Sequence, residues 1–324
     1  MVKRAVVTII GTSHMDFIAY LDRFPEPGET VIGKGFASAP GGKGANQAIA
    51  ACRLGADCHL ISKVGADFVG ESLLGNAREN GVRIDHITRD PRSHSGVALI
   101  YVNAKGENMI AVAPGVDLLI SEDDVKAAEG AIASSNAVLA QLEIPTKTAT
   151  FAIEYAKCMG KTTILNPAPA SGLDDSVLRH IDYMTPNRGE LAKLTGMRVD
   201  DDRSITDAAR DLVDMGLRAM VVTLGRRGAM VVTPSGNELV PSYNVNAVDT
   251  VGAGDAFNGA LAVAISMGCE VGAAVRFANL VAALKITRRG AQAGLPTLKE
   301  VVDFARSRGI EDVPQVFLES PNGR

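Results

Sequence analysis

Short runs of β-branched and apolar residues recur along the chain at Ala5–Ile10, Cys58–Ser62, Ala137–Gln141, Thr162–Leu165, Tyr183–Thr185 and Ala219–Thr223. Between them lie stretches with a helical spacing of apolar positions, Phe68–Asn80, Lys147–Met159, Ser204–Met215 and Val271–Ile286. Ser121-Glu122-Asp123-Asp124 opens a further helix, a serine cap followed by acids that suit the helix dipole. Strand–helix alternation of this kind predicts an α/β fold: a doubly wound, mostly parallel sheet with helices on both faces. Two stretches break the rhythm. Met15–Tyr20 with Glu29–Ala37, and Ser95–Val102 with Asn108–Val112, read as hairpin-like strand pairs. Pro25-Glu26-Pro27-Gly28 and Ala104-Lys105-Gly106-Glu107 supply their turns. Val97, Leu99 and Tyr101 fall on one face of their strand and Ala98, Ile100 and Val102 on the other, so both faces are apolar and one needs a further partner.

Two glycine clusters each run from a tight turn into a helix. In Asp249-Thr250-Val251-Gly252-Ala253-Gly254-Asp255, the small residues Gly252, Ala253 and Gly254 leave backbone N–H groups uncovered at the start of an apolar helix, Ala256 to Met267. Such a terminus favours an anion. A carboxylate there, Asp255, either caps the helix or takes a proton from a hydroxyl while the N–H groups stabilise a transferring phosphoryl group. The second cluster, Ala39-Pro40-Gly41-Gly42-Lys43-Gly44-Ala45-Asn46-Gln47-Ala48, enters a helix over Ala45 to Leu54. It is not a Walker A loop, because Ala37 and Gly44 stand where that motif needs Gly and Ser or Thr; Gly160-Lys161-Thr162 fails at Tyr155. Neither cluster completes G-x-G-x-x-G, since Phe257 and Gln47 occupy the third glycine position, which weakens a dinucleotide-dependent dehydrogenase.

Ligands of a doubly wound sheet lie beyond the C-terminal strand ends. Asp16, Glu143, Asn166 and Asn187 all follow strands in this way, though a polar residue there also serves as a helix cap. Lys43 is either a solvated lysine at a helix start or a partner of an anion, since its charge opposes the helix dipole.

At this point the chain resembles the ribokinase-like (PfkB) sugar kinases, most of all the ribokinases among them. The resemblance rests on Gly41-Gly42-Lys43-Gly44-Ala45-Asn46 and Asp249-Thr250-x-Gly-Ala-Gly-Asp255, with Asn166-Pro167-Ala168-Pro169-Ala170, Thr185-Pro186-Asn187-x-x-Glu190 and Thr223-Leu224-Gly225-x-x-Gly228 in order between them, and it spans about residues 5–308. It implies one kinase domain over 1–308, a small β-sheet lid from strands at about 14–38 and 95–112, and a C-terminal tail over 309–324 that reads as a frayed appendage. The implied reaction is in-line transfer of the γ-phosphoryl group of ATP to a primary hydroxyl, with ribose as acceptor and ribose 5-phosphate as product. Asp255 is then the base, with Gly252, Ala253 and Gly254 forming the anion cradle. His14, Asp16, Gly42, Lys43, Asn46 and Glu143 face the sugar, and Asn187, Thr223, Gly225, Gly228 and Asn279 the nucleotide. Glu190 and Asn187 would hold Mg2+ with its waters. Asp249, with the carbonyls of Val251, Lys285, Arg288 and Gly290, would hold a monovalent cation, K+. A homodimer through the lid strands is implied as well.

Two departures bear on these expectations. His14 stands where ribokinases usually carry Asn, and a neutral imidazole cannot both donate and accept as an amide does. Deoxyribose or a nucleoside therefore stays open as the acceptor. Gly294 stands where a cation-site hydroxyl often occurs, which leaves dependence on K+ open. A non-catalytic sugar sensor on the same fold is the rival of a different class, although a sensor has no need of Asp255.

Composition agrees. The chain has 324 residues, is 46% hydrophobic and carries a net charge of −4, so it offers no argument for nucleic acid or an anionic membrane as a partner. It has no Trp and is only 4% aromatic, so sugar recognition should rest on hydrogen bonds rather than ring stacking. No apolar run reaches the length of a membrane span. Met1-Val2-Lys3-Arg4 leads directly into a strand without a signal-peptide pattern. Cys52, Cys58, Cys158 and Cys269 are scattered and read as buried free thiols of a cytoplasmic protein. His14, His59, His86, His94 and His180 show no zinc spacing.

Overall fold

The computed structural model describes residues 4–319. Thirteen strands are β1 (Val6–Ile10), β2 (His14–Tyr20), β3 (Gly35–Gly41), β4 (Asp57–Gly65), β5 (Ile87–Asp90), β6 (Val97–Val102), β7 (Asn108–Ala113), β8 (Ala137–Gln141), β9 (Thr162–Asn166), β10 (Tyr183–Met184), β11 (Ala219–Thr223), β12 (Ala229–Thr233) and β13 (Gly236–Val240). Nine of them form one sheet in the order β13-β12-β11-β10-β9-β8-β1-β4-β5, parallel from β11 to β5, with β12 antiparallel to both β11 and β13 at one edge. The run β1, β8 and β9 is buried almost without alternation because helices cover both faces, and two apolar clusters form, one on each side. No helix among the described residues is long and apolar enough to cross a membrane.

The strand order reverses between β1 and β8, and the residues that leave the strand ends there build the site. Two helices carry the glycine clusters: Lys43–Arg53 and Ala253–Ser266. They lie unusually close, because a Cβ on Gly259 would come within 2.7 Å of the Ala50 side chain and 2.8 Å of the Gln47 carbonyl. Only glycine permits that approach, and it brings the two N-termini together although the motifs are some two hundred residues apart.

The lid is a four-stranded sheet in the order β3-β2-β6-β7. Its pairings are the expected ones, β2 with β3 and β6 with β7, both antiparallel. The position of β3 differs from the expectation of Glu29–Ala37: residues 29–34 are loop, and the strand runs on through Pro40 to Gly41. Proline is tolerated because β3 is an edge strand. The strand thus feeds directly into Gly42, whose φ of +91° turns the chain into the Lys43–Arg53 helix.

The segment after Gly309 is not a frayed appendage. Phe317 is 2% exposed and stacks on Phe277 with ring centroids 4.3 Å apart, and Val313 is buried. Tyr243 donates to Asp312 at 2.8 Å. One large aromatic is enough to dock a short tail by burial of apolar area. Met1 to Lys3 and Ser320 to Arg324, on which the N-terminal and tail expectations also fall, lie outside the described residues. The cysteines correct a second expectation: all four are free, but only Cys58 is buried, Cys52 and Cys269 are half-buried, and Cys158 is exposed at the end of the Thr146–Cys158 helix.

Candidate active site

Asp255 lies in the first turn of the Ala253–Ser266 helix yet does not cap it. Its Oδ2 accepts from Asn46 Nδ2 at 2.8 Å and its Oδ1 from Gln47 Nε2 at 3.0 Å, both on the facing helix. These amides are themselves fixed. Gln292 Nε2 donates to Asn46 Oδ1 at 2.9 Å, Asn76 Nδ2 donates to Gln292 Oε1 at 2.7 Å, and Gln141 Nε2 donates to Gln47 Oε1 at 2.6 Å. With their carbonyls occupied, Asn46 and Gln47 can turn only their NH2 groups to the carboxylate. Burial raises Asp255 above the ordinary carboxylate range, and Glu143 adds to this; Lys43 and the two amide donors oppose it. A carboxylate with a raised proton affinity is better suited to accept a proton than an exposed one.

Beside it the backbone N–H groups of Gly254 and Asp255 have no acceptor among the described residues, while Ala253 N donates to Thr250 O. Gly252 supplies the left-handed N-cap, φ +76°. Across from this cradle Lys43 Nζ lies 3.7 Å from Glu143 Oε1. Burial lowers its pKa, but Asp255, Glu143 and Glu190 outweigh that and leave it raised, so Lys43 keeps its charge. Glu143 also accepts from the Lys43 backbone N–H at 2.9 Å and from Thr12 Oγ1. A cavity of about 160 Å3 is bounded by Lys43, Asn187, Glu190 and the Gly252–Asp255 turn. It shares Thr223, Thr250, Ala253 and Gly254 with a larger cavity of about 490 Å3 that also meets Gly225, Gly228 and Asn279. The larger one falls in the range of small-ligand pockets.

Asn187 is a helix cap, as its position allowed. Its Oδ1 accepts from Glu190 N at 2.9 Å, and Glu190 Oε2 accepts from Asn187 N at 2.8 Å. That leaves Glu190 Oε1 without a hydrogen bond to the described residues, on a side chain that lines the smaller cavity. Burial raises Glu190, against the Asn187 N–H, Lys43 and Lys193.

On the lid side, Asp16 and His14 share β2, with His14 Nε2 3.5 Å from Asp16 Oδ1. Burial lowers the pKa of His14, but the Asp16 hydrogen bond and the fields of Glu143, Asp117 and Asp16 leave it raised. Asp249, Val251, Lys285, Arg288, Gly290 and Gly294 gather behind the cradle: Asp249 accepts from Val251 N at 3.0 Å and from Gly290 N at 2.8 Å.

Gln47, Gln292 and Asp117 were not singled out from the sequence. Gln47 sits next to Asn46 inside a quoted motif, which was the available signal. Asp117 is 2% exposed in the short turn Gly115–Leu119, packed against Gly96, with Oδ1 unpartnered. Burial pushes its pKa up to about 7; Glu143 adds to this, while the His14 charge and the Ser13 N–H oppose it.

The profile of the pfkB family carbohydrate kinases matches residues 4–298. The chain is 37% identical over 301 residues to a ribokinase of Haemophilus influenzae, covering 93% of this chain and 98% of that one. It is 38% identical over 299 residues to a deoxyribokinase of Salmonella typhi, covering 92% and 98%. A solved structure of Arabidopsis thaliana ribokinase complexed with ribose and ATP superposes with a TM-score of 0.87 at 27% identity, over 93% of this chain and 98% of that one. Two glycine-led helices packed against each other around a buried carboxylate are thus the frame of a phosphotransferase, and the chain belongs to the pfkB family of carbohydrate kinases.

Proposed function

We propose that this kinase transfers the γ-phosphoryl group of ATP to the primary hydroxyl of ribose, giving ribose 5-phosphate. The observation that carries the reading is the seat of Asp255: a buried carboxylate held by Asn46 and Gln47, next to free amides and facing Lys43. Asp255 accepts the hydroxyl proton as the new O–P bond forms. The N–H groups of the Gly252–Asp255 turn receive charge on the transferring group, and Lys43 offsets it. His14, Asp16, Gly42, Asn46 and Glu143 bind the remaining sugar hydroxyls. The nucleotide occupies the larger cavity against Thr223, Gly225, Gly228 and Asn279. Glu190 Oε1 and the Asn187 side of the smaller cavity offer the oxygen donors that Mg2+ prefers; when bound, the ion neutralises phosphate charge. A coupled assay of purified protein with ATP and a panel of ribose, deoxyribose, fructose and nucleosides tests the reading. Ribose should give the highest kcat/KM, and sugar binding without turnover on any acceptor would favour the sensor reading.

His14 favours a second reading, deoxyribose as acceptor. The ring packs towards Asp16 rather than away from the sugar side, so it bears on acceptor choice. The similarity to a deoxyribokinase supports keeping this reading beside ribose.

We also propose a two-fold homodimer through the lid. Phe36, Leu99, Tyr101 and Met109 are exposed on the face opposite Asp16, and Phe17 and Phe36 stack there. A second copy of the same strands would cover them. Four free thiols fit a reducing compartment such as the cytoplasm.

A further inference from the structure

Lys285 ends the Val271–Lys285 helix, where a lysine ordinarily reaches solvent, yet it is 0% exposed. Its Nζ donates to the carbonyl oxygen of Asp249 at 3.0 Å. That carbonyl begins the turn that exposes the N–H groups of Gly254 and Asp255: Thr250 follows it, and Thr250 O accepts from Ala253 N at 3.1 Å. The ammonium therefore sits against the back of the anion cradle.

The family resemblance implies a monovalent cation in this region, and the groups present do not fit one. Both Asp249 carboxylate oxygens already accept backbone N–H groups, from Val251 and Gly290. The Lys285 carbonyl accepts from Arg288 N at 3.0 Å and the Gly290 carbonyl from Gly294 N at 3.1 Å. Gly294 brings no hydroxyl, and a Cβ there would lie 2.7 Å from the Gly290 oxygen and 3.2 Å from the Arg288 oxygen. The loop is closed where a side-chain ligand would enter. A buried ammonium nearby also repels a second cation, and at short range with little solvent that repulsion is strong.

We propose that Lys285 is a positioning residue whose buried ammonium, hydrogen-bonded to the Asp249 carbonyl, replaces the monovalent cation, holding the Asp249–Asp255 turn in its anion-binding form so that the kinase works without added K+. The proposal rests on the cradle acting on phosphate and is independent of which sugar is the acceptor.

The test compares potassium with tetramethylammonium buffers. For the wild-type protein, thermal melting with and without MgATP needs no acceptor; the melting temperature should be the same in both salts, and turnover should differ by less than about twofold. Lys285→Met, an uncharged chain of similar length, should lose about tenfold or more in kcat, the order seen when one electrostatic partner of a transition state is removed. Lys285→Ala opens room for an ion, and K+ or ammonium should restore part of its kcat and raise its melting temperature. A lysine that only filled space would leave no such salt dependence in the variant. Wild-type protein stabilised by K+ and activated about tenfold would overturn the proposal, as would Lys285→Met with unchanged kcat in potassium-free buffer. The wild-type arm decides even if a variant fails to fold.

Discussion

Asp117→Asn probes a buried acid of the sugar-side cluster whose Oδ1 has no hydrogen-bond partner among the described residues. The carboxyl is pushed from an ordinary 3.8 up to about 7, by burial first and the Glu143 charge next. A raised folded-state pKa means that the native protein binds this proton more tightly than the unfolded chain does. The stability it contributes is therefore fully present below the unfolded value and is lost as pH rises through about 7. Between about pH 5 and pH 7 the loss amounts to roughly two units at about 1.4 kcal/mol each, or about 2–3 kcal/mol. An amide of the same shape does not titrate. Urea denaturation of wild type and variant at about pH 5 and pH 8 should show the variant gaining about 2–3 kcal/mol relative to wild type over that interval. His14 offers a second reading of the same field, because Asp117 is one of the charges that raise it; its pKa, followed by NMR, should fall in the variant. A stability difference that stays flat with pH would mean that Asp117 is ionised at no cost, and the argument from its burial would be wrong.

Asp255→Asn keeps the shape but cannot take the proton, so turnover should fall by about 10²–10⁴-fold while ATP still raises the melting temperature; retention of more than about a third of the wild-type rate would refute the base assignment. His14→Asn should move the ribose-to-deoxyribose ratio of kcat/KM towards ribose by several-fold, mainly through KM, since one hydrogen bond contributes about 0.5–1.5 kcal/mol and lies away from the reacting oxygen. An unchanged ratio would remove His14 from acceptor choice. Light scattering should find a dimer at micromolar concentration and a monomer for Leu99→Glu, which places a charge on the exposed lid face; a monomeric wild type would defeat the lid interface.

The parallel sheet was legible because buried strands with both faces covered need apolar runs such as Ala137–Gln141. The antiparallel edge was missed for different reasons. Ala229–Thr233 has the same sequence, Ala-Met-Val-Val-Thr, as its neighbour Ala219–Thr223, so it was readable and was overlooked. Gly236–Val240 carries Asn237 and Glu238 on an exposed edge, and no pattern distinguishes it from a loop. The end of β3 runs past the expected Ala37 because Ser38, Ala39 and Pro40, of low strand propensity, are held there by pairing with β2. Within the site, the motifs named Asp255, Lys43 and Asn46. The side-chain order that turns Asp255 towards Asn46 and Gln47 rather than into a cap depends on the Gly259–Ala50 approach and on Gln292, far apart in sequence, and only tertiary packing brings these together.

The charges around the site explain why directional donors rather than net charge must bind the phosphates. Asp255, Glu143 and Glu190 surround Lys43, Asp16, Asp117 and Glu143 surround His14, and Glu143 acts on both Asp117 and Asp255 through like charge. A polyanion entering such a site meets repulsion from every carboxylate it approaches. The attraction that offsets it is local: unpaired N–H groups at one helix start, the Lys43 ammonium at another, and Lys285 behind the turn. On the proposed function, a divalent cation entering with the nucleotide would add the remaining compensation beside Glu190, which lines the smaller cavity. The carboxylates thus disfavour bare anions, while Asp255 has the raised proton affinity that its burial confers, with a smaller contribution from Glu143. Proton acceptance and phosphate selection are in this sense one property of the arrangement, set by how little water the two converging helices leave around Asp255.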